Sequence, residues 1–147
     1  MVARAIRRHM GRSMHKVHLV AGMEDALVHL RSHGVALALL TSNSHSNVKQ
    51  VLGCEGLAYF HVVECGTTLF GKARQLRKLL KQFRGRAGDV LYVGDETRDA
   101  DAARAAGLDF VAVGWGYTNG SALLSAGAWA CFDTPFELAS ILLRQRS

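Results

Sequence analysis

The run Val35-Ala36-Leu37-Ala38-Leu39-Leu40 is apolar without interruption, and it stops abruptly at Thr41-Ser42-Asn43-Ser44. A strand with one wet face alternates apolar and polar residues. A strand-length run that does not alternate is covered on both faces, which in practice means a parallel strand between two layers of helix. The flanking sequence supplies such helices. Met23, Ala26, Leu27 and Leu30 mark one helical face stopped by Gly34, and Ser44 or Ser46 can cap a second helix through Val48, Val51 and Leu52, ending at Gly53. The alternation continues with a short strand over His61–Glu64 and a helix opened by Lys72 that carries Leu76, Leu79, Leu80 and Phe83. A strand over Asp89–Val93 and an alanine-rich helix closing at Gly107 come next. After them stand a strand over Asp109–Val113, a short helix over Ser121–Ala126 and a strand over Trp129–Phe132. Thr134-Pro135-Phe136-Glu137 then reads as a capping box with proline at the first helical position. The implied fold class is α/β, a doubly wound parallel sheet.

The length of 147 residues with 49% hydrophobic content suits one domain with a substantial core. Three cysteines, Cys54, Cys65 and Cys131, form no CxxC pair and no disulfide framework, so a reducing, cytoplasmic setting is expected. No apolar run approaches the roughly 20 residues of a membrane span, so no membrane partner is expected. The net charge of +6 is concentrated in Arg4, Arg7, Arg8, Arg12 and Lys16, with no acid before Glu24. Val2, Ile6 and Met10 recur at helical spacing, giving an expected amphipathic basic helix. The stretch also resembles an organelle-targeting peptide or a nucleic-acid arm, but neither is favoured over a solvated basic helix face, and no aromatics interleave for stacking on bases.

Loops after the carboxyl ends of parallel strands build ligand sites. Three such loops carry polar chemistry. Thr41, Ser42 and Asn43 follow one strand, Lys72 stands at the next helix start, and Asp95 and Asp99 follow Val90-Leu91-Tyr92-Val93-Gly94. One or two carboxylates with waters and phosphate oxygens satisfy Mg²⁺. The acids are equally compatible with an acidic helix start favoured by the helix dipole. Lys72 at a helix N-terminus is locally unfavourable, although it is also one of six basic residues from Lys72 to Arg84 and could be a solvated side chain. Gly114, Gly116 and Gly120 are spaced GxGxxxG, with no ribose-binding acid placed for a dinucleotide fingerprint. Hydroxyl, amide, ammonium and a carboxylate-held cation together suit a phosphoryl group bound to Mg²⁺.

In this order and placement, the motifs resemble the haloacid dehalogenase-like hydrolase superfamily, especially its phosphoglycolate-phosphatase-like branch, from about Leu19 to Leu142. The resemblance implies a Rossmann-like core and Mg²⁺-dependent hydrolysis of a small phosphate monoester through an aspartyl-phosphate. It assigns the phosphoryl-contacting Thr to Thr41, with Ser42 and Asn43 beside it, and the charge-neutralising lysine to Lys72, where Ala73 replaces the frequent proline. The acidic motif Gly-Asp-x-x-x-Asp falls on Gly94, Asp95 and Asp99. Asp95 would ligate Mg²⁺, and Asp99 would ligate it or hold its water. Gly114-Trp115-Gly116-Tyr117 resembles the turn that follows the last core strand of this branch.

The family's first motif, an Asp-x-Asp at the end of the first strand, has no counterpart here. The first acids are Glu24 and Asp25, inside a helical segment. The expectation is therefore a core over residues 17–147 that lacks the nucleophile-bearing strand, preceded by a residual cap-like basic helix over residues 1–16. Three arrangements could close the sheet at that place. The neighbouring strands could pair directly, Lys16-Val17-His18-Leu19-Val20 could slot between them, or a homo-oligomeric or complementing chain could fill the gap. Without the nucleophile the chain alone is expected to be inactive. The alternatives are a non-catalytic phosphate- and Mg²⁺-binding or assembly module and, less favoured, a basic nucleic-acid-associated protein.

Overall fold

The computed structural model describes residues 2–4, 19–68, 71–83, 87–116 and 118–144. The strands are β1 (Val2–Arg4), β2 (Leu37–Leu40), β3 (Val62–Glu64), β4 (Leu91–Gly94), β5 (Asp109–Val113) and β6 (Cys131–Phe132). The helices are α1 (Met23–Ser32), α2 (His45–Leu57), α3 (Lys72–Gln82), α4 (Thr97–Ala106), α5 (Gly120–Ser125) and α6 (Pro135–Arg144). The strands form one sheet in the order β3-β2-β1-β4-β5-β6, with every pair parallel.

Alternation along each strand sends side chains to two cores. Leu37, Leu39, Val93, Val111 and Val113 face Met23, Leu27 and Leu30 of α1, Val48 and Leu52 of α2, and Leu138 and Leu142 of α6. Ala38, Leu40, Tyr92, Phe110 and Ala112 face Leu76 and Leu79 of α3, Ala100 and Ala103 of α4, and Leu123 of α5. Both faces of the sheet are thus covered, as the unbroken run at Val35–Leu40 requires.

The centre of the sheet differs from expectation. Val2, Ala3 and Arg4 pair with Leu37, Ala38 and Leu39 on one side and with Leu91, Tyr92 and Val93 on the other. The helical spacing of Val2, Ile6 and Met10 therefore does not describe residues 2–4, which form a strand. A slot flanked by two apolar strands with unpaired amides and carbonyls offers more than a short helix does, and the ladder overrides the local pattern. Direct pairing of β2 with β4 is excluded, and so is Leu19–Val20 as the filler, since neither residue is in a strand. Residues 5–18, including Ile6, Arg7, Arg8, Met10, Arg12 and Lys16–His18, lie outside the described residues.

Smaller differences have local causes. The helix starting at His45 does not stop at Gly53 but kinks there (φ 67°, ψ 178°) and resumes to Leu57. The segment Ala87–Asp89 is a single 3₁₀ turn rather than the start of β4. Ser44 is the cap of α2, its hydroxyl accepting from the Asn47 amide at 3.3 Å. At α6 the Thr134 hydroxyl accepts from the Glu137 amide at 3.2 Å, while the Glu137 carboxylate reaches one residue further back, to the Asp133 amide at 3.1 Å.

Candidate active site

Because all strands are parallel, the loops after β2, β3 and β4 open on the same edge of the sheet. Backbone bonds tie the first two together. The Thr41 amide donates to the Glu64 carbonyl at 2.9 Å, Gly66 to Asn43 at 2.9 Å and Thr67 to Thr41 at 3.1 Å. Thr41 is almost fully buried, and its Oγ1 accepts from the Asn43 amide at 3.1 Å. A hydroxyl can accept one hydrogen bond while donating another. Ser42 is exposed and Asn43 half-buried. Thr67 is a buried neighbour that sequence reasoning missed, and its Oγ1 has no hydrogen-bond partner among the described residues.

Lys72 is the first residue of α3, a helix whose N-cap, Gly71, offers no side chain. It is buried nonetheless, and its Nζ pairs with Asp99 Oδ1. Asp99 is wholly enclosed. Its Oδ1 also accepts from the Tyr92 hydroxyl at 3.0 Å, and its Oδ2 accepts from the amides of Asp95 at 3.2 Å and Glu96 at 3.1 Å. The sequence expectation gave Asp99 to a cation or its water. Here both oxygens are occupied, and by four protein donors. The last of these bonds is half of a capping box with Glu96, the N-cap of α4. Glu96 is itself buried and bound by Arg98 Nη2 at 2.6 Å.

Two glycines make room for the two aspartates. A Cβ on Gly94 would lie 2.6 Å from the Asp99 Cβ, and a Cβ on Gly116 would overlap the Asp95 side chain still more closely. The GxG of Gly114-Trp115-Gly116 is thus a seat for Asp95, not a nucleotide fingerprint. The Thr118 amide adds a bond to the Asp95 carbonyl at 3.2 Å, and Tyr117 lies outside the described residues.

Tyr92 carried a sequence signal that went unread, a phenol inside an apolar strand. A buried hydroxyl needs a partner, and Asp99 is that partner. Burial, reinforced by the negative charge of Asp99, pushes the Tyr92 phenol well above its ordinary range, so it stays a donor. Two thiols sit in loops or strands near this edge, and neither is an activated nucleophile. Burial, followed by the charge of Glu64, raises Cys65, and burial, followed by Asp133, raises Cys131.

Among the described residues no group of three or more His, Cys, Asp or Glu side chains could cage a metal, and no helix is long and apolar enough to cross a membrane. The sequence model of the haloacid dehalogenase-like hydrolases matches residues 1–113. The chain is 38% identical over 134 residues to a phosphoglycolate phosphatase of Synechococcus elongatus, covering 90% of this chain and 63% of that protein. It is 35% identical over 103 residues to the tyrosine-protein kinase PtkA of Mycobacterium tuberculosis, covering 67% of this chain and 35% of that one. A haloacid dehalogenase-like family hydrolase from Streptococcus pneumoniae shares the fold with a TM-score of 0.74 at 21% identity, over 84% of this chain and 60% of that one. This chain thus spans less than two thirds of the length of each of these relatives. The extent of the match and the shared fold lead to one conclusion: the chain belongs to the haloacid dehalogenase-like hydrolases, on their phosphoglycolate-phosphatase-like branch.

Proposed function

We propose that this chain carries the phosphoryl- and Mg²⁺-binding half of a small-molecule phosphate-monoester hydrolase, and that by itself it binds but does not turn over. The observation that carries this reading is the buried Lys72 ammonium, anchored by Asp99 on the same sheet edge as Thr41 and Asp95. A cation is seldom buried without a task, and its cost is bearable here because Asp99 pairs with it.

The donor set fits Mg²⁺. With Asp99 committed to four donors, Asp95 is the proposed ligand, and one carboxylate with waters and phosphate oxygens is a normal Mg²⁺ environment. The bound cation would neutralise charge on the phosphoryl oxygens. Thr41 would donate its hydroxyl hydrogen to one of those oxygens and Lys72 would compensate the charge of another, with Ser42 and Asn43 closing the rim. The amides of Asp95 and Glu96 point inward to Asp99, so anion binding falls to these side chains rather than to the start of α4.

Turnover needs an atom that attacks phosphorus. In the sequence β1 is followed by Ala5-Ile6-Arg7-Arg8, and no carboxylate occurs before Glu24. Glu24 and Asp25 lie in the first turn of α1. Calorimetry with orthophosphate and Mg²⁺ tests the binding claim. The parent should bind, Lys72→Met and Thr41→Ala should weaken phosphate, and Asp95→Asn should remove the Mg²⁺ enhancement. Hydrolysis of a generic phosphate monoester by the parent, lost in Asp95→Asn, would overturn the claim of inactivity. Equal Mg²⁺ affinity in parent and Asp95→Asn would reduce Asp95 to an acidic helix start.

A further inference from the structure

We propose that the Tyr92 hydroxyl is a positioning group for Lys72, acting through Asp99. Lys72 Nζ and the Tyr92 hydroxyl share a single acceptor, Asp99 Oδ1, while the other oxygen is fixed by two backbone amides. The carboxylate therefore cannot rotate to serve one donor without losing another. The three side chains come from α3, β4 and α4, and all are buried, so water does not compete for the shared oxygen. Gly94 permits the arrangement, because only a residue without a Cβ lets Asp99 fold back over the strand end.

The division of Oδ1 between two donors sets how strongly Asp99 holds the ammonium. Two donors that share one carboxylate oxygen divide its partial charge and repel one another, so each is held less strongly than a single donor would be. With the phenol in place, Asp99 anchors Lys72 without fully neutralising it, and the ammonium keeps positive potential for a phosphoryl oxygen. Without the phenol, the whole of Oδ1 turns to Lys72, which is drawn toward Asp99. The raised pKa of Tyr92 keeps the hydroxyl a donor through the neutral range. The effect on ligand affinity rests on the phosphate-binding role proposed above for Lys72. The effect on Lys72 itself does not.

The test is NMR of the Lys72 ammonium in the ¹⁵N-lysine-labelled 147-residue chain, its signal assigned by loss in Lys72→Met. In Tyr92→Phe the ammonium protons should move downfield as the bond to Asp99 strengthens. Orthophosphate affinity should fall about two- to tenfold, the size of one hydrogen bond. Replacing Tyr92 with 3-fluorotyrosine keeps the ring and makes the hydroxyl a stronger donor, so the signal should move upfield. This second variant decides the matter if Tyr92→Phe fails to fold. A Lys72 signal that stays in place in every folded variant would overturn the proposal and leave Tyr92 a core residue whose hydroxyl is merely satisfied. Failure of the parent to bind orthophosphate, with the Lys72 signal moving as expected, would count against the proposed function and support the positioning role.

Discussion

The starts of α3 and α4 face the same edge of the sheet and are built in opposite ways. α4 begins with a reciprocal capping box, Glu96 with Asp99, and an acid in its first turn, as the helix dipole favours. α3 begins with Gly71, no side-chain cap, no acid, and a buried lysine at the end of the helix that repels it. The second start stands because of the first. Asp99, in the first turn of α4, is also the counter-charge of Lys72, so a carboxylate that stabilises its own helix locally offsets a cost on the neighbouring one. The comparison separates stability from function in the loop. In the function proposed above, the acids that look like a metal cluster in sequence divide into one that pairs with Lys72, Asp99, and one assigned to a cation, Asp95.

The sharpest way to break this pairing is to remove one partner at a time. Asp99→Ala strands Lys72, the Tyr92 hydroxyl and two amides in a buried site, and should destabilise the chain by about 3–5 kcal/mol in urea unfolding. Lys72→Met leaves Asp99 with three donors and should cost clearly less, about 1–2 kcal/mol. Equal costs would mean that the Lys72–Asp99 pair carries the whole effect and that the other three donors to Asp99 add nothing.

A smaller effect lies at alkaline pH. Folded Tyr92 keeps its proton beyond about pH 10, where the unfolded chain loses it, so the native state binds more protons than the unfolded state in that range. The contribution of Tyr92 to stability should then fall as pH rises above about 10, by at most about 1.4 kcal/mol per pH unit, and be constant below it. Tyr92→Phe should flatten this part of the curve. A parent and variant with parallel pH profiles from 8 to 11, a window bracketing the ordinary tyrosine value of about 10, would disprove it.

The smallest change tests why α3 has no better cap. A Cβ on Gly71 would lie 2.8 Å from the Thr68 hydroxyl, so Gly71→Ala should cost about 1 kcal/mol from local crowding. The same substitution in a Thr68→Ala background should recover most of that. If it does not, the uncapped start has another cause.

The layering was legible in the sequence because unbroken runs such as Val35–Leu40 and Phe110–Val113 encode burial on both faces, and glycines and caps mark the breaks between them. Lys72 was legible only as an anomaly. Its explanation lies 27 residues later, in Asp99, and long-range pairing leaves no periodic trace. Asp99 itself was visible as an acid, but its saturation by four donors depends on where β4, α3 and its own helix meet. Val2–Arg4 was misread because three residues cannot show a period, and a neighbouring slot decides their conformation more strongly than they do. The kink at Gly53 was misjudged for the opposite reason, because glycine was taken as a stop where the helix only bends.

The place of β1 in the sheet also governs how the chain reaches this structure. It precedes the other described strands in the chain, yet its partners are Leu37–Leu39 and Leu91–Val93, so one of its edges stays bare until β4, the fourth strand in chain order, is available to cover it. Contacts this distant make folding slow, because loop closure precedes any gain from pairing. During that wait β2 and β4 present apolar, unpaired borders of the kind that join strands of other chains. Expression at low temperature or with chaperones should therefore raise the yield of soluble chain more than any change in the loops after β2, β3 and β4.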